Sequence, residues 1–400
     1  MSDKAGGGKG PGTLARRQQL QVAYGNALFH ARGYGAPETA EAFVRARESA
    51  VDDKGASERL KIDYALWAGN FARGELQSMR AHAAAFLRDV SDRPDSPEAG
   101  VAHRCAGATH LFAGEYQEAR AHLEQALALF QPGRDDDLAD RFGQDAGVSA
   151  MFYLALVLWP MGDTGRAISL VRDAKARTAT LTHIGARAYG MCLAAIFELV
   201  CGNFSRAAPH AAELARLAHE RDLLMWRAYG IFLEGAAKAE GRTLGRGLRD
   251  MRRGAELLRE QKVRTFDGLA NITLAEAEAR AGDIDRALAI LDETLATSER
   301  TGDRPFDAEL HRVRGEMLLK RDPANPAAAE EALLTAIAVS KQQSTRSFEL
   351  RAALSLARLY QSTGRPVERH AVLAPALEGF APTPEMPEIA EAETLLSRLA

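Results

Sequence analysis

The chain is poor in the residues that would mark most other classes of protein. Its three cysteines, Cys105, Cys192 and Cys201, are scattered and form no Cys-x-x-Cys pair, which argues against a disulfide framework. Aromatic residues make up only 6%, while alanine is abundant; that balance favours closely packed helices over sheets. Neither sign of charge dominates, since 51 Lys and Arg face 54 Asp and Glu, so nothing calls for nucleic acid or an anionic membrane as a partner. Long apolar runs are missing too: the best candidate, residues 151–161, contains Pro160 and stops short of the roughly 18 residues of a spanning helix. The first dozen residues are polar and glycine-rich without the apolar segment of a signal peptide, and residues 1–13 are expected to be a disordered lead-in. The cytosol is the expected compartment.

What the chain does have is a rhythm. A small polar turn built on glycine recurs at Gly33, Gly74, Gly114, Gly162, Gly202, Gly241, Gly282 and Gly364, at gaps of 41, 40, 48, 40, 39 and 41 residues and then 82, room for one degenerate copy. A fixed period of this size predicts stacked helical hairpins. Around Gly114 the frame is clearest. Gly107 and Ala119 are small where two antiparallel helices must approach closely, and Leu111, Phe112, Tyr116, Leu123 and Leu127 fill the space between them. The degenerate copy replaces its glycine with the loop at 320–326, and the long gap is explained by an acidic loop at 131–140, in which Asp135, Asp136 and Asp137 are expected to fan into solvent rather than bind metal.

This pattern resembles the tetratricopeptide repeat, whose usual period of 34 is stretched here to about 40. The expected fold is all-α: a right-handed superhelical solenoid of about nine hairpins over residues 14–400. In such a superhelix the first helix of each hairpin faces the concave side. Carrying that frame onto the chain gives candidate groove residues Tyr64, Phe71, Arg104, Phe152, Trp159 and Tyr189, followed by a charged C-terminal stretch with Glu276, Arg312, Glu316 and Arg358. The apolar middle is either core or an open slot for a helix or extended segment. The charged end either reads an acidic group or is a solvated helix face.

Chemistry is scarce. The glycines at 6–10 lack the Ser or Thr and the preceding strand of a phosphate-binding loop. His103 and His110 stand two helical turns apart, about 10 Å, too far to chelate one zinc ion unaided, and both read as partly exposed helix residues. Arg246, Arg249, Arg252 and Arg253 suggest a local basic surface, but without interleaved aromatics they do not make a nucleic-acid site. No catalytic, cofactor or metal residue is identified, and none of these classes is expected.

Longer phrases, among them FAGEYQEARAHLEQALALFQPGRDDDLA from residue 112 and SFELRAALSLARLYQSTGRP from residue 347, resemble the C-terminal region of large bacterial signalling proteins. In that family a class III adenylate or guanylate cyclase domain and an AAA-type predicted ATPase precede the repeat array. Neither enzymatic domain is in this sequence, so no catalytic residue carries over. The resemblance implies a scaffolding or regulatory segment, encoded apart from its enzymatic partners. Its expected partner is a protein or peptide, a cyclase or ATPase component among the options, with no nucleic acid and no membrane. The alternative is a sensor that takes a peptide or small ligand into the groove.

Overall fold

A computed structural model describes Leu20, Tyr24 and residues 37–48, 56–241 and 243–397. The turn expected at Gly33 and the lead-in at 1–13 lie outside the described residues. Helix α1 spans Pro37–Glu48, and eight antiparallel hairpins follow. These pair α2 (Ala56–Arg73) with α3 (Leu76–Asp89), and α4 (Pro97–Phe112) with α5 (Tyr116–Leu129). A short α6 (Leu138–Phe142) intervenes. Then come α7 (Ala146–Met161) with α8 (Thr164–Thr180), α9 (Ile184–Val200) with α10 (Phe204–Glu220), and α11 (Leu224–Ala239) with α12 (Leu244–Glu260). The last three hairpins are α13 (Asp267–Arg280) with α14 (Ile284–Thr301), α15 (Asp307–Arg321) with α16 (Ala327–Gln343), and α17 (Arg346–Ser362) with α18 (Pro366–Leu377). Helix α19 (Pro387–Ser397) closes the array. Among the described residues there is no strand, and no helix is long and apolar enough to cross a membrane.

The turns work as their glycines require. Gly74, Gly114, Gly162, Gly202, Gly282 and Gly364 all adopt the left-handed conformation, with φ between 70° and 97°. Each lets the following amide reach back to the carbonyl five residues before it, as in Asp163 to Leu158 (3.0 Å) and Asp283 to Glu278 (3.0 Å), the bond that closes a Schellman cap. The same aspartates then accept from Arg166 and Arg286 amides and start the next helix. Gly241 is the exception. Its φ is not left-handed, and that hairpin closes instead with the Thr243 hydroxyl donating to the Lys238 carbonyl.

The insertion at 131–145 divides the expected solvated acidic loop: Asp136 and Asp137 are exposed as expected, and Asp135 is not. Asp135 is buried, accepting from the Gln131 amide and the Arg134 guanidinium. Asp136 pairs with Arg177 at 2.9 Å, and Asp145 caps α7 by accepting from the Val148 amide while gripping the same Arg177. Phe142 of α6 packs edge-on against Tyr64.

Successive turns of the coil touch. Thr265 donates its hydroxyl to the Phe71 carbonyl, Arg304 its amide to Phe112, and Ser347 its hydroxyl to Trp159. Tyr116 on the earlier turn donates to Pro305 on the later one. The side-chain bonds join residues 188 to 194 apart, so the superhelix returns upon itself after about five hairpins. The carbonyls that accept at Phe71, Phe112 and Trp159 lie at the C-terminal ends of first helices, past the reach of the regular i+4 donors, and those of Phe71 and Trp159 also accept from the Gly74 and Gly162 amides. This stacking covers the inner faces of the first helices and leaves cavities between successive turns.

Candidate functional site

The closed coil divides the candidate groove residues into three groups. Tyr64, Arg104, Phe152 and Trp159 do not line an open groove; all four are 2% exposed or less and belong to the packed interior. Arg104 lies over the rings of Tyr64 and Trp67, at 5.3 and 4.9 Å, and Trp159 is covered from the next turn by Phe348 and by the guanidinium of Arg351 at 4.5 Å.

Phe71 and Tyr189 do reach open space. They line a cavity of about 480 Å³ with Trp226, Tyr229, Phe266 and Ile196, most of its wall being apolar. That volume falls within the 300–1,000 Å³ typical of ligand pockets. The aromatic wall is fixed by its polar tips. Tyr189 and Tyr153 share a 2.5 Å hydroxyl hydrogen bond, and Tyr229 donates to the Thr265 carbonyl at 2.9 Å. Trp226 stacks edge-on against Tyr189 and remains partly exposed, while Leu224 on the wall is 51% exposed, which places it at the mouth.

Glu276, Arg312 and Arg358 line a second, charged cavity of about 220 Å³, together with Glu309, Arg351 and Glu388. Glu316 stands behind the wall, accepting from Ser355 and Arg312. Arg358 is the most exposed of the group and pairs with Glu391 at 2.7 Å. Burial pushes the Glu276 carboxyl up to about 7, with Arg312 partly opposing it. The two cavities follow one another along α9. Ile196 of α9 lines the apolar one and Leu199 the charged one; Phe266 and Leu269 are divided in the same way at the start of α13. Three residues of helix separate the lining in each case, about 5 Å.

Frame counting from glycines missed Trp226 and Tyr229. Tyr189 stands thirteen residues before Gly202, but the position thirteen before Gly241 is Ala228, and one residue rotates a helix face by about 100°. Gly241 was a poor origin because its hairpin closes differently from the others.

His103 and His110 are partly exposed helix residues, as expected, and both meet a third histidine. His103 is half-buried and its Nδ1 lies 2.9 Å from Nδ1 of His122, a residue the spacing argument did not consider; His110 stacks on His122 and binds Glu115. Burial holds His122 down to about 4, the neighbouring His103 and His110 acting in the same direction. The three cysteines are free and buried. Among the described residues no group of three or more His, Cys, Asp or Glu is placed to hold a metal ion. Arg252 and Arg253 are neutralised by Glu278 and Glu256, which shrinks the basic surface expected there.

No family model matches the chain. The uncharacterized protein R02095 of Rhizobium meliloti (strain 1021) is 24% identical over 286 residues, 70% of this chain and 27% of that protein, so the matched region spans about a quarter of the relative. Among solved structures, a Rap protein complexed with Competence and Sporulation Factor superposes with a TM-score of 0.58 at 11% identity, covering 96% of this chain and all of that one. Cut9 in the APC/C hetero-tetramer Cut9–Hcn1 gives 0.53 at 15%, covering 86% of this chain and 56% of that one. The Rap conjugation gene regulator of the plasmid pLS20 in complex with the Phr* peptide gives 0.51 at 12%, over 97% and 96%. The likeness establishes the tetratricopeptide-like all-α solenoid.

Proposed function

We propose that the chain is a non-enzymatic interaction module that takes a peptide, or an extended segment of a partner protein, into the cavities between its successive turns. The observation that carries this reading is the 480 Å³ aromatic chamber, with Leu224 at its mouth and a charged cavity further along α9. A rigid aromatic wall with hydrogen-bonded tips offers large apolar area at little cost in side-chain entropy. Two of the similar solids, the Rap protein with Competence and Sporulation Factor and the pLS20 regulator with Phr*, are described as complexes with a factor and a peptide, which supports the same use of this fold here.

Panning the purified protein against a phage-displayed library of seven-residue peptides tests the reading. Recovered peptides are expected to be rich in Leu, Phe or Trp and to change the emission of Trp226, since Trp67 and Trp159 are fully buried. Trp226→Ala is expected to weaken their binding at least tenfold without changing the helical circular dichroism, as for a central aromatic anchor. Equal binding by the variant would exclude the chamber as the site.

The family resemblance supports a finer proposal: the partner belongs to a cytoplasmic nucleotide cyclase or ATPase system. Affinity capture followed by mass spectrometry checks it, the expected prey being a cyclase or an AAA-type ATPase; recovery of neither would remove the link.

A further inference from the structure

We infer that the charged cavity is a subsite for a cationic group of the ligand, a Lys or Arg side chain or a terminal amine, and that Glu276 receives it. The inference rests on the peptide reading above and names the chemistry of its second contact.

The charge around the cavity is unbalanced in one direction. Each arginine on its wall already has a carboxylate within 3 Å: Arg312 holds Glu309 and Glu316, both at 2.9 Å, Arg351 holds Glu388 at 2.7 Å, and Arg358 holds Glu391 at 2.7 Å. On the wall itself three cations face the three carboxylates Glu276, Glu309 and Glu388, and Glu316 and Glu391 outside the lining take up two of those cations. Glu276 is the one left over. Its nearest cation is Arg312 Nη2 at 3.7 Å, beyond hydrogen-bond reach, although its side chain is only 30% exposed and lines the cavity. A second acceptor points the same way, because Oε2 of Glu388, on the same wall, is buried and accepts no hydrogen bond. A half-buried carboxylate with no partner at hydrogen-bond distance is incompletely compensated, and an incoming ammonium or guanidinium would complete it while an anion would oppose it. The space suits a side-chain head, since about 220 Å³ is many times the roughly 10–15 Å³ that a single water needs.

Reach is also satisfied. Glu276 stands ten residues along from Phe266, about 15 Å, so an extended segment rising about 3.3 Å per residue needs four or five residues to set an apolar side chain in the aromatic chamber and a basic one beside Glu276.

The test uses the full chain and its Glu276→Gln variant, panned in parallel against the same seven-residue library. Wild-type pools are expected to be enriched in Lys or Arg a few residues from the apolar anchor; the variant should keep the apolar enrichment and lose the basic one. The peptide recovered most often is then synthesised in three forms: unmodified, with its basic residue replaced by norleucine, and with its N-terminus acetylated. Calorimetry is expected to show one of the two modifications weakening wild-type binding at least tenfold and changing variant binding less than threefold, which also assigns the cation to side chain or terminus. Apolar enrichment with indifference to both modifications would overturn the subsite and leave the peptide reading standing. Failure to recover any peptide would overturn both. Glu276→Gln is nearly isosteric and breaks no hydrogen bond, and unchanged circular dichroism and thermal melting verify its fold.

Discussion

Replacing Arg351 by alanine is expected to destabilise the protein by about 3–5 kcal/mol, the cost of removing one partner from a buried ionic cluster. The side chain is only 11% exposed, and it ties together elements from two turns of the coil. Its guanidinium donates to the Val200 and Cys201 carbonyls at the end of α9, at 2.9 and 3.0 Å, grips Glu388 of α19 and lies over Trp159 of α7. Truncation leaves two helix-end carbonyls and a carboxylate without a donor in an enclosed place. Arg358, seven residues further along the same helix, supplies the control. It pairs with Glu391, but both partners are nearly half exposed, so Arg358→Ala is expected to change stability by less than about 1 kcal/mol. Chemical denaturation checks the difference between the two. Hydrogen exchange should show α17 and α19 opening first in Arg351→Ala, since repeat arrays lose structure unit by unit.

The second large effect is a reversal of sign within one helix. Gly245 and Gly247 both lie in α12, and helix propensity alone assigns Gly→Ala a gain of up to about 1 kcal/mol at either position. At Gly245 nothing lies within 4 Å of an added Cβ, so the gain should appear. At Gly247 that Cβ would stand 2.5 Å from the Ala239 amide nitrogen and 2.6 Å from the Gly235 carbonyl. These are backbone atoms of α11, and relief requires the two helices to separate. Overpacking of this kind costs about 1–3 kcal/mol and outweighs the propensity gain. Gly247→Ala is therefore expected to lower the denaturation midpoint and Gly245→Ala to raise it. Equal shifts would mean that α11 and α12 do not approach as closely as described.

These residues also explain how much of the molecule could be read in advance. Gly107, Gly247 and Gly254 are small because a neighbouring helix occupies the space a side chain would need, and that constraint leaves a regular mark on the sequence. The turn glycines are equally legible, since a left-handed backbone position strongly favours glycine. The fold followed from these two signals. Closure of the coil did not, because Phe71–Thr265 and Trp159–Ser347 join residues almost five periods apart, and a repeat frame describes only neighbours. Hence Phe152 and Trp159 could be placed on inward faces as either core or slot, and the covering turn makes them core. In the acidic run at 135–137 only Asp135 departs from the expected exposure, its carboxyl being held by the neighbouring Arg134. Glu276, Arg312 and Arg358 came together at one cavity because all three lie on inner helices that the glycine frame registers correctly.

The central claim is that ligand enters between successive turns of the coil and spans the two cavities. A crystal structure with the peptide recovered most often tests this most directly. The expected result is an apolar side chain against Trp226 and Phe71, with the basic group of the same peptide about 3 Å from Glu276. A peptide seated on the outer face of the second helices, with both cavities holding only water, would contradict it.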